Sequence, residues 1–315
     1  MRMVVFTLVT AAGVAGILGA LTYPAYRRQM ETARVRVAAG ALHLHTRSGD
    51  IEYGVEGEGP PVLSLHGAGG GYDQGLWAAR MAFGEGYRFI AVSRFGYLGS
   101  PVPRDASIHM QAAICRELLD HLGLQRVVVL GSSAGGPSAM QFANDYPERT
   151  SALLLLSAVS QPAAPGDKAP FYVHAIHLIQ RSDYAYWLAT RCLQPVMLSL
   201  MGVPSGVYAR LTPPQKQLAQ AMLDTMHPMS ERYRGTINDG EMIRRGGVST
   251  SKVSAPTLVL HAKDDALVSY RHAEHAHDVI QGSRLKLYET GGHGLLPQMN
   301  SVRQEVSALL QSGLH

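Results

Sequence analysis

The 315-residue chain has few charged residues and almost no cysteine, and both shortages exclude classes of protein. Charged residues make up 17% and hydrophobic residues 46%, which excludes an intrinsically disordered chain. Cys115 and Cys192 are too few for a disulfide framework or a cysteine-based zinc site, and we expect no metal. The net charge of +4 is scattered rather than gathered into a basic stripe, so no nucleic-acid partner is expected.

Charge is missing altogether between Met3 and Tyr26, where the chain opens with a long apolar run. About 20 helical residues suffice to cross the hydrocarbon core of a bilayer. We therefore predict that residues 1–26 form an uncleaved membrane anchor, followed by a linker over residues 27–40. The alternatives are a signal peptide whose cleavage gives a secreted or periplasmic protein, and a buried helix. The flanking arginines leave the side of the membrane open.

Beyond residue 40, short apolar runs alternate with amphipathic stretches, which predicts an α/β domain over residues 41–315. The runs end in Gly or Ser, as expected for strands buried on both faces of a parallel sheet. Predicted strands cover residues 41–47, 51–57, 61–65, 87–93, 126–130, 152–157, 256–261 and 285–289. Predicted helices cover residues 108–122, 134–146, 270–280 and 301–310. Prolines interrupt the rhythm over residues 161–248, which predicts a mostly helical insertion.

A Gly-Ser-Ser-Ala-Gly sequence over residues 131–135 lies between a predicted strand and a predicted helix. Glycines at both ends permit a sharp turn that holds its central residue, Ser133, in a strained conformation above the sheet. The positive end of the following helix then lies beside the hydroxyl group. We predict that Ser133 is a nucleophile.

A second glycine-rich loop, His-Gly-Ala-Gly-Gly-Gly over residues 66–71, follows another predicted strand. Glycines there allow backbone N–H groups to approach a reacting oxygen. We expect the amides of Ala68 and Ala134 to form an oxyanion hole. A phosphate-binding loop is disfavoured because no Gly-Lys-Ser/Thr sequence follows.

Two further strand ends carry acidic and imidazole groups, namely Asp264 with Asp265 and the Gly-Gly-His-Gly sequence around His293. A serine hydroxyl is a weak nucleophile without an adjacent base, and an imidazole base needs a carboxylate to fix its tautomer. The order serine, aspartate, histidine along the chain is one of three known for this machinery. The pattern predicts a Ser-His-Asp triad.

At these motifs, and at Ser-Arg-Phe-Gly-Tyr-Leu-Gly-Ser over residues 93–100, the sequence resembles the α/β-hydrolase superfamily. The resemblance covers residues 40–315 and departs at Ser93, where members often have Asp. It implies an eight-stranded, mostly parallel sheet with helices on both faces, a helical cap and no cofactor. The family pattern His-Gly-x-x-Asp, laid on residues 261–265, assigns Asp265 to the triad. Asp264 is then expected to stabilise the loop or face solvent.

Three positions narrow the predicted chemistry. Haloalkane dehalogenases and soluble epoxide hydrolases resemble this layout but have Asp where Ser133 stands. Proline-specific aminopeptidases often have Trp where Ala134 stands. Ring-cleavage hydrolases often have Trp where Leu295 stands. These departures favour hydrolysis of a moderately apolar small-molecule ester, thioester or lactone. The alternatives are an acyltransferase or cofactor-free perhydrolase, and a non-catalytic ligand-binding protein of the same fold.

Methionines are frequent in the predicted cap and have two interpretations. Their adaptable side chains fill cores and also line apolar pockets. We expect them to form the core of the cap, with an acyl pocket as the alternative. They are Met197, Met201, Met222, Met226 and Met229. The sequence does not indicate an oligomeric state.

Overall fold

A computed structural model describes residues 2–162, 171–245 and 247–312, and an eight-stranded sheet forms its centre. The strands are β1 (Leu42–Thr46), β2 (Gly49–Glu56), β3 (Pro61–Leu65), β4 (Arg88–Val92), β5 (Val127–Ser132), β6 (Thr150–Leu156), β7 (Thr257–Ala262) and β8 (Arg284–Tyr288). Their order in the sheet is β1-β2-β4-β3-β5-β6-β7-β8. Strand β2 is antiparallel to β1 and β4, and the pairs from β4 to β8 are parallel. The predicted fold class is confirmed.

Helices cover both faces of this sheet. Outside the cap they are α1 (Arg2–Gly40), α2 (Tyr72–Phe83), α3 (Ile108–His121), α4 (Gly136–Asp145), α11 (Arg271–Val279) and α12 (Met299–Ser312). Leu63 and Val129 belong to the core with α3, α4 and α11, whereas Val62 and Leu130 belong to the core with α2 and α12. Alternate side chains of one strand point to opposite faces, so the central strands are buried on both sides and contain continuous apolar runs.

Helix α2 has no counterpart among the helices predicted from sequence. It begins directly after the glycine-rich loop, and Gly75 lies in its second turn. A Cβ at Gly75 would lie 2.8 Å from the Cβ of Ala91, so the glycine allows close packing of the helix on β4. Glycine lowers helix propensity, and tertiary packing outweighs that preference here.

Residues 27–40, which the sequence analysis predicts to be a linker, are helical and continue helix α1. Met30, Ala33 and Val37 are buried, and their spacing of three and four residues places them on one face of the helix. The Tyr72 hydroxyl donates a hydrogen bond to the Val37 carbonyl oxygen. Among the residues that the structure describes, none of the helices is long and apolar enough to span a membrane, so the predicted anchor gains no support.

The cap lies in sequence between β6 and β7, within the range predicted for the insertion. Its helices are α5 (Phe171–Gln180), α6 (Asp183–Cys192), α7 (Gln194–Leu200), α8 (Ser205–Arg210), α9 (Pro213–Asp224) and α10 (Tyr233–Arg245). Residues 163–170 and 246, which belong to the predicted range 161–248, lie outside the described residues.

A buried ion pair fastens the cap to the sheet. Arg94 follows β4, and its two terminal nitrogens donate hydrogen bonds to both carboxylate oxygens of Asp239 on α10, at 2.5 and 2.7 Å. The side chain of Arg94 is fully buried and that of Asp239 is 3% exposed. The Tyr97 hydroxyl also donates to Asp239, at 2.6 Å. Removing one partner would leave the other charge buried and uncompensated.

Replacing Asp239 with Asn should therefore destabilise the protein, by about 3–5 kcal/mol in the free energy of unfolding. Urea denaturation monitored by fluorescence measures the change. The matched control is Glu241→Gln, because Glu241 pairs at 3.2 Å with Arg245 on the exposed face of the same helix. Its expected cost is about 0.5 kcal/mol or less. Equal losses in the two variants would contradict the role of the buried pair.

Candidate active site

The chain reverses sharply where β5 ends, and Ser133 lies at the turn. Ser133 has a φ of 50°, a left-handed conformation that is strained for a residue with a side chain. A one-turn helix over Ser133–Gly135 leads directly into α4. A side chain at Gly135 would collide with the Leu65 carbonyl group of β3, so only glycine fits. This close approach of backbones holds Ser133 at the carboxyl edge of the sheet.

The structure brings the three predicted triad residues into one chain of hydrogen bonds. Ser133 Oγ lies 3.0 Å from His293 Nε2, and His293 Nδ1 lies 2.7 Å from Asp265 Oδ2. The side chain of Asp265 is fully buried, and His293 is 8% exposed. These residues follow β5, β8 and β7, whose carboxyl ends meet at the same edge of the sheet. A hydroxyl, an imidazole and a carboxylate in this order can activate the hydroxyl as a nucleophile.

Asp265 is held as a carboxylate by several donors. The other carboxylate oxygen, Oδ1, accepts hydrogen bonds from the backbone N–H groups of Leu267 and Val268 at 2.9 and 3.0 Å. Burial alone would raise the pKa of Asp265. The charge of His293 and hydrogen bonds from His261, His293 and Val268 outweigh burial and hold this pKa below its usual range.

His261 is a second imidazole on the same carboxylate, and the sequence analysis assigned it no role. Its Nε2 lies 3.2 Å from Asp265 Oδ2 and 2.9 Å from the carbonyl oxygen of Val268. Both partners are acceptors, so Nε2 must carry the proton. The sequence feature that could have indicated this contact is the four-residue spacing of His261 and Asp265 across the end of β7. Only the fold shows that the His261 ring turns back onto the Asp265 carboxylate.

Asp264 supports the histidine loop through its backbone. One carboxylate oxygen accepts hydrogen bonds from the N–H groups of Gly291 and Gly292, both at 2.8 Å. Of the two roles expected for Asp264, the structure has the loop-stabilising one. The backbone N–H of His293 donates to the carbonyl oxygen of Gly202 in the cap, at 2.8 Å. Asp264 therefore holds the loop at Gly291 and Gly292, and the cap holds it at His293.

Two backbone N–H groups next to Ser133 are free to bind an anion. Ala134 lies in the first turn of a helix, where N–H groups have no intrahelical partner. The Ala68 amide donates to no other group within the described part of the chain. A Cβ at Gly67 would lie 3.0 Å from the Ser133 Cβ, so the loop that carries Ala68 runs directly against Ser133. The arrangement suits an oxyanion hole.

A neutral histidine, His66, fixes the shape of this loop. The Gly67 carbonyl oxygen lies 2.7 Å from His66 Nδ1, and the Arg94 backbone N–H donates to His66 Nε2 at 3.1 Å. Nδ1 therefore carries the proton and Nε2 accepts. Burial and the nearby Arg94 charge hold the pKa of His66 well below its usual range. Arg94 Nε also donates to the His66 carbonyl oxygen at 2.9 Å, which joins the loop to the ion pair under the cap.

A cavity of about 100 Å³ lies beside Ser133 and His293. Its walls are mostly apolar side chains from α2, the sheet edge, the cap and α12: Trp77, Met81, Leu156, Met201, Met222, Leu267 and Met299. Its polar side chains are Gln74, Ser132, Ser133, Ser157 and His293. None of the described residues around it is an aspartate, glutamate, lysine or arginine.

Both interpretations of the cap methionines hold in part. Met201 and Met222 line the cavity. Met197, Met226 and Met229 are buried in the cap core, together with Tyr186. Their spacing in the sequence does not separate the two groups, because they are distributed over short cap helices and the loops between them.

The sequence matches the family model of the α/β hydrolase fold over residues 60–298, and the chain belongs to this family. It is 29% identical over 255 residues to the uncharacterized hydrolase YcgS of Bacillus subtilis, covering 78% of this chain and 88% of the relative. The predicted family is confirmed, and the general prediction of a hydrolase is confirmed with it.

Solved structures agree with this assignment. An alpha/beta hydrolase fold protein from Nakamurella multipartita is 28% identical, with a TM-score of 0.74, covering 87% of this chain and 99% of the other. The esterase EaEST from Exiguobacterium antarcticum is 26% identical, with a TM-score of 0.63, covering 85% and 98% respectively. The match extends over nearly the whole of both neighbours and over most of this chain.

Proposed function

We propose that this protein is a serine hydrolase that cleaves neutral carboxylic esters, thioesters or lactones through an acyl-enzyme intermediate. The observation that carries the proposal is the continuous set of hydrogen bonds from Ser133 through His293 to Asp265, at 3.0 and 2.7 Å. The similarity to an esterase of known structure supports the choice of an ester substrate.

In the proposed mechanism, Ser133 Oγ attacks the ester carbonyl carbon while His293 Nε2 accepts its proton. The N–H groups of Ala68 and Ala134 stabilise the negative charge that develops on the carbonyl oxygen. His293 then returns the proton to the leaving alkoxide, and Asp265 stabilises the imidazolium that forms in between. Water, activated by His293, hydrolyses the acyl-enzyme by the same steps.

A fluorophosphonate probe tests this assignment, because it reacts covalently with an activated serine. The wild-type protein should be labelled and the Ser133→Ala variant should not. Ser132→Ala is the matched control, since it removes the neighbouring hydroxyl from the same cavity, and it should retain labelling. An unlabelled wild-type protein would favour the non-catalytic binding protein instead.

The two adjacent aspartates should differ strongly in their effect on turnover. Asp265→Asn should lower kcat by roughly 10³–10⁴, because an amide favours the wrong tautomer of His293. Asp264→Asn keeps one acceptor oxygen for the glycine amides, and we expect a loss of about tenfold or less, in line with one weakened hydrogen bond.

Steady-state kinetics with p-nitrophenyl butyrate measures both effects, and thermal denaturation of each variant separates loss of activity from loss of fold. The reverse order of the two variants would assign the triad acid to Asp264 instead.

The cavity supports a neutral acyl group of short to medium length. No charged side chain among the described residues lines it, so a carboxylate on the substrate would be buried without a partner. Sites for drug-sized ligands usually measure about 300–1,000 Å³. The cavity beside Ser133 is smaller, at about 100 Å³, and its methionines allow limited adjustment.

A series of p-nitrophenyl esters from acetate to palmitate should show highest kcat/KM at short to medium chain length. Met201→Ala enlarges the cavity and should move the optimum to longer chains. Met197→Ala is the control, because Met197 is buried in the cap core away from the cavity, and it should leave the optimum in place. A rate that keeps rising up to palmitate in the wild-type protein would indicate a lipase.

A further inference from the structure

The side-chain amide of Gln74 lies in the cavity wall next to the predicted oxyanion loop. Gln74 belongs to the first turn of α2, is 9% exposed and is one of the residues that line the cavity. Its Oε1 occupies the space that a Cβ on Gly70 would take, so the amide packs directly on the loop. A glycine at position 70 is what allows this contact.

This amide is without a protein partner. Its backbone N–H donates to Asp73 Oδ1, within the first turn of α2, at 2.9 Å. Its side chain makes no hydrogen bond within the described part of the chain. Its polar atoms are not among the fully inaccessible side-chain atoms of the described residues that lack a partner, so they reach an accessible surface. A polar group in the wall of an apolar pocket can orient a bound ligand, so the amide is available to a partner that enters the cavity.

The helix turn that carries Gln74 is tied to the cap. The Asp73 carboxylate accepts hydrogen bonds from both terminal nitrogens of Arg232, each at 2.8 Å. The side chain of Arg232 is fully buried in the cap. This bidentate pair fixes the first turn of α2, and with it the backbone position of Gln74.

We propose that Gln74 binds a second, neutral oxygen of the substrate, close to the ester that is cleaved. The inference rests on the proposed function and deepens it, because it names an oxygenated ester as the substrate class. An amide both donates and accepts, so it pairs with a hydroxyl, keto or ring oxygen. A substrate carboxylate is disfavoured because the cavity offers no cation among the described residues.

Matched ester pairs, each with a hydroxyl in place of a methyl group, test the proposal on both sides of the ester. On the acyl side, p-nitrophenyl 3-hydroxybutyrate is compared with p-nitrophenyl 3-methylbutyrate. On the alcohol side, 2-hydroxyethyl butyrate is compared with propyl butyrate. The measured quantity is the ratio of kcat/KM within each pair. It is determined for wild type and for Gln74→Met, which keeps the length of the side chain but not its polar groups.

We expect the Gln74→Met variant to lower this ratio about tenfold in one of the two pairs, which identifies the side that carries the oxygen. Met81→Leu, an apolar change on the wall of the same cavity, should leave both ratios within about twofold, since it alters no hydrogen bond. Retained labelling by the fluorophosphonate probe shows that the site of each variant is folded.

Unchanged ratios in both pairs for Gln74→Met would overturn the role of Gln74 while leaving the serine hydrolase in place. Equal shifts in Gln74→Met and Met81→Leu would overturn it as well, because they would report cavity shape alone. Another outcome is a wild-type protein that reacts with the probe in one sample yet, without the probe, cleaves none of the four esters. In that case the proposed function fails, and the role of Gln74 fails with it.

Discussion

The close approach of two strands at Ser133 is the constraint on which the rest of the site depends. Leu65 of β3 pairs with Gly131 of β5, and Gly135 lies against the Leu65 carbonyl group just beyond this pair. The left-handed conformation of Ser133 costs of order 1–3 kcal/mol, and it persists because contacts within the surrounding sheet hold the backbone in place. Parallel strands end at a common edge, so the histidine loop reaches the Ser133 hydroxyl and the aspartate loop reaches the histidine.

The cap contributes to catalytic geometry as well as to the pocket. The ion pair with Asp239 joins Arg94 to cap helix α10. Arg94 Nε also donates to the His66 carbonyl oxygen, so the cap is connected to the loop that leads to Ala68. The Gly202 carbonyl oxygen receives the backbone N–H of His293. The cap thus touches both the predicted oxyanion hole and the predicted base. If the proposed mechanism holds, a change in cap position should alter turnover as well as the fit of the substrate.

Local motifs and long-range contacts differ in how far they can be predicted from sequence. Ser133 and His293 lie between glycines directly after strands, so a few neighbouring residues define their surroundings. Gln74 and the helix over residues 27–40 were missed because their partners are distant in sequence. The role that we propose for Gln74 depends on its packing against Gly70 and on the cavity that it lines. Val37 is buried in the same apolar cluster as Tyr72, whose hydroxyl donates to the Val37 carbonyl oxygen. The apolar spacing of Met30, Ala33 and Val37 was a readable signal for that helix.

The two adjacent aspartates serve the same histidine by different routes. Asp265 contacts the His293 ring, whereas Asp264 holds the glycine amides that precede it in the loop. The two residues lie at a turn after β7, in which the Asp265 N–H donates to the Ala262 carbonyl oxygen at 3.3 Å, and they contact different parts of the histidine loop. His261 adds a third tie, from β7 to the buried oxygen that faces His293. Groups from residues 261–265 thereby help to fix the position, tautomer and orientation of the His293 imidazole. A short sequence motif therefore contributes much of this part of the site.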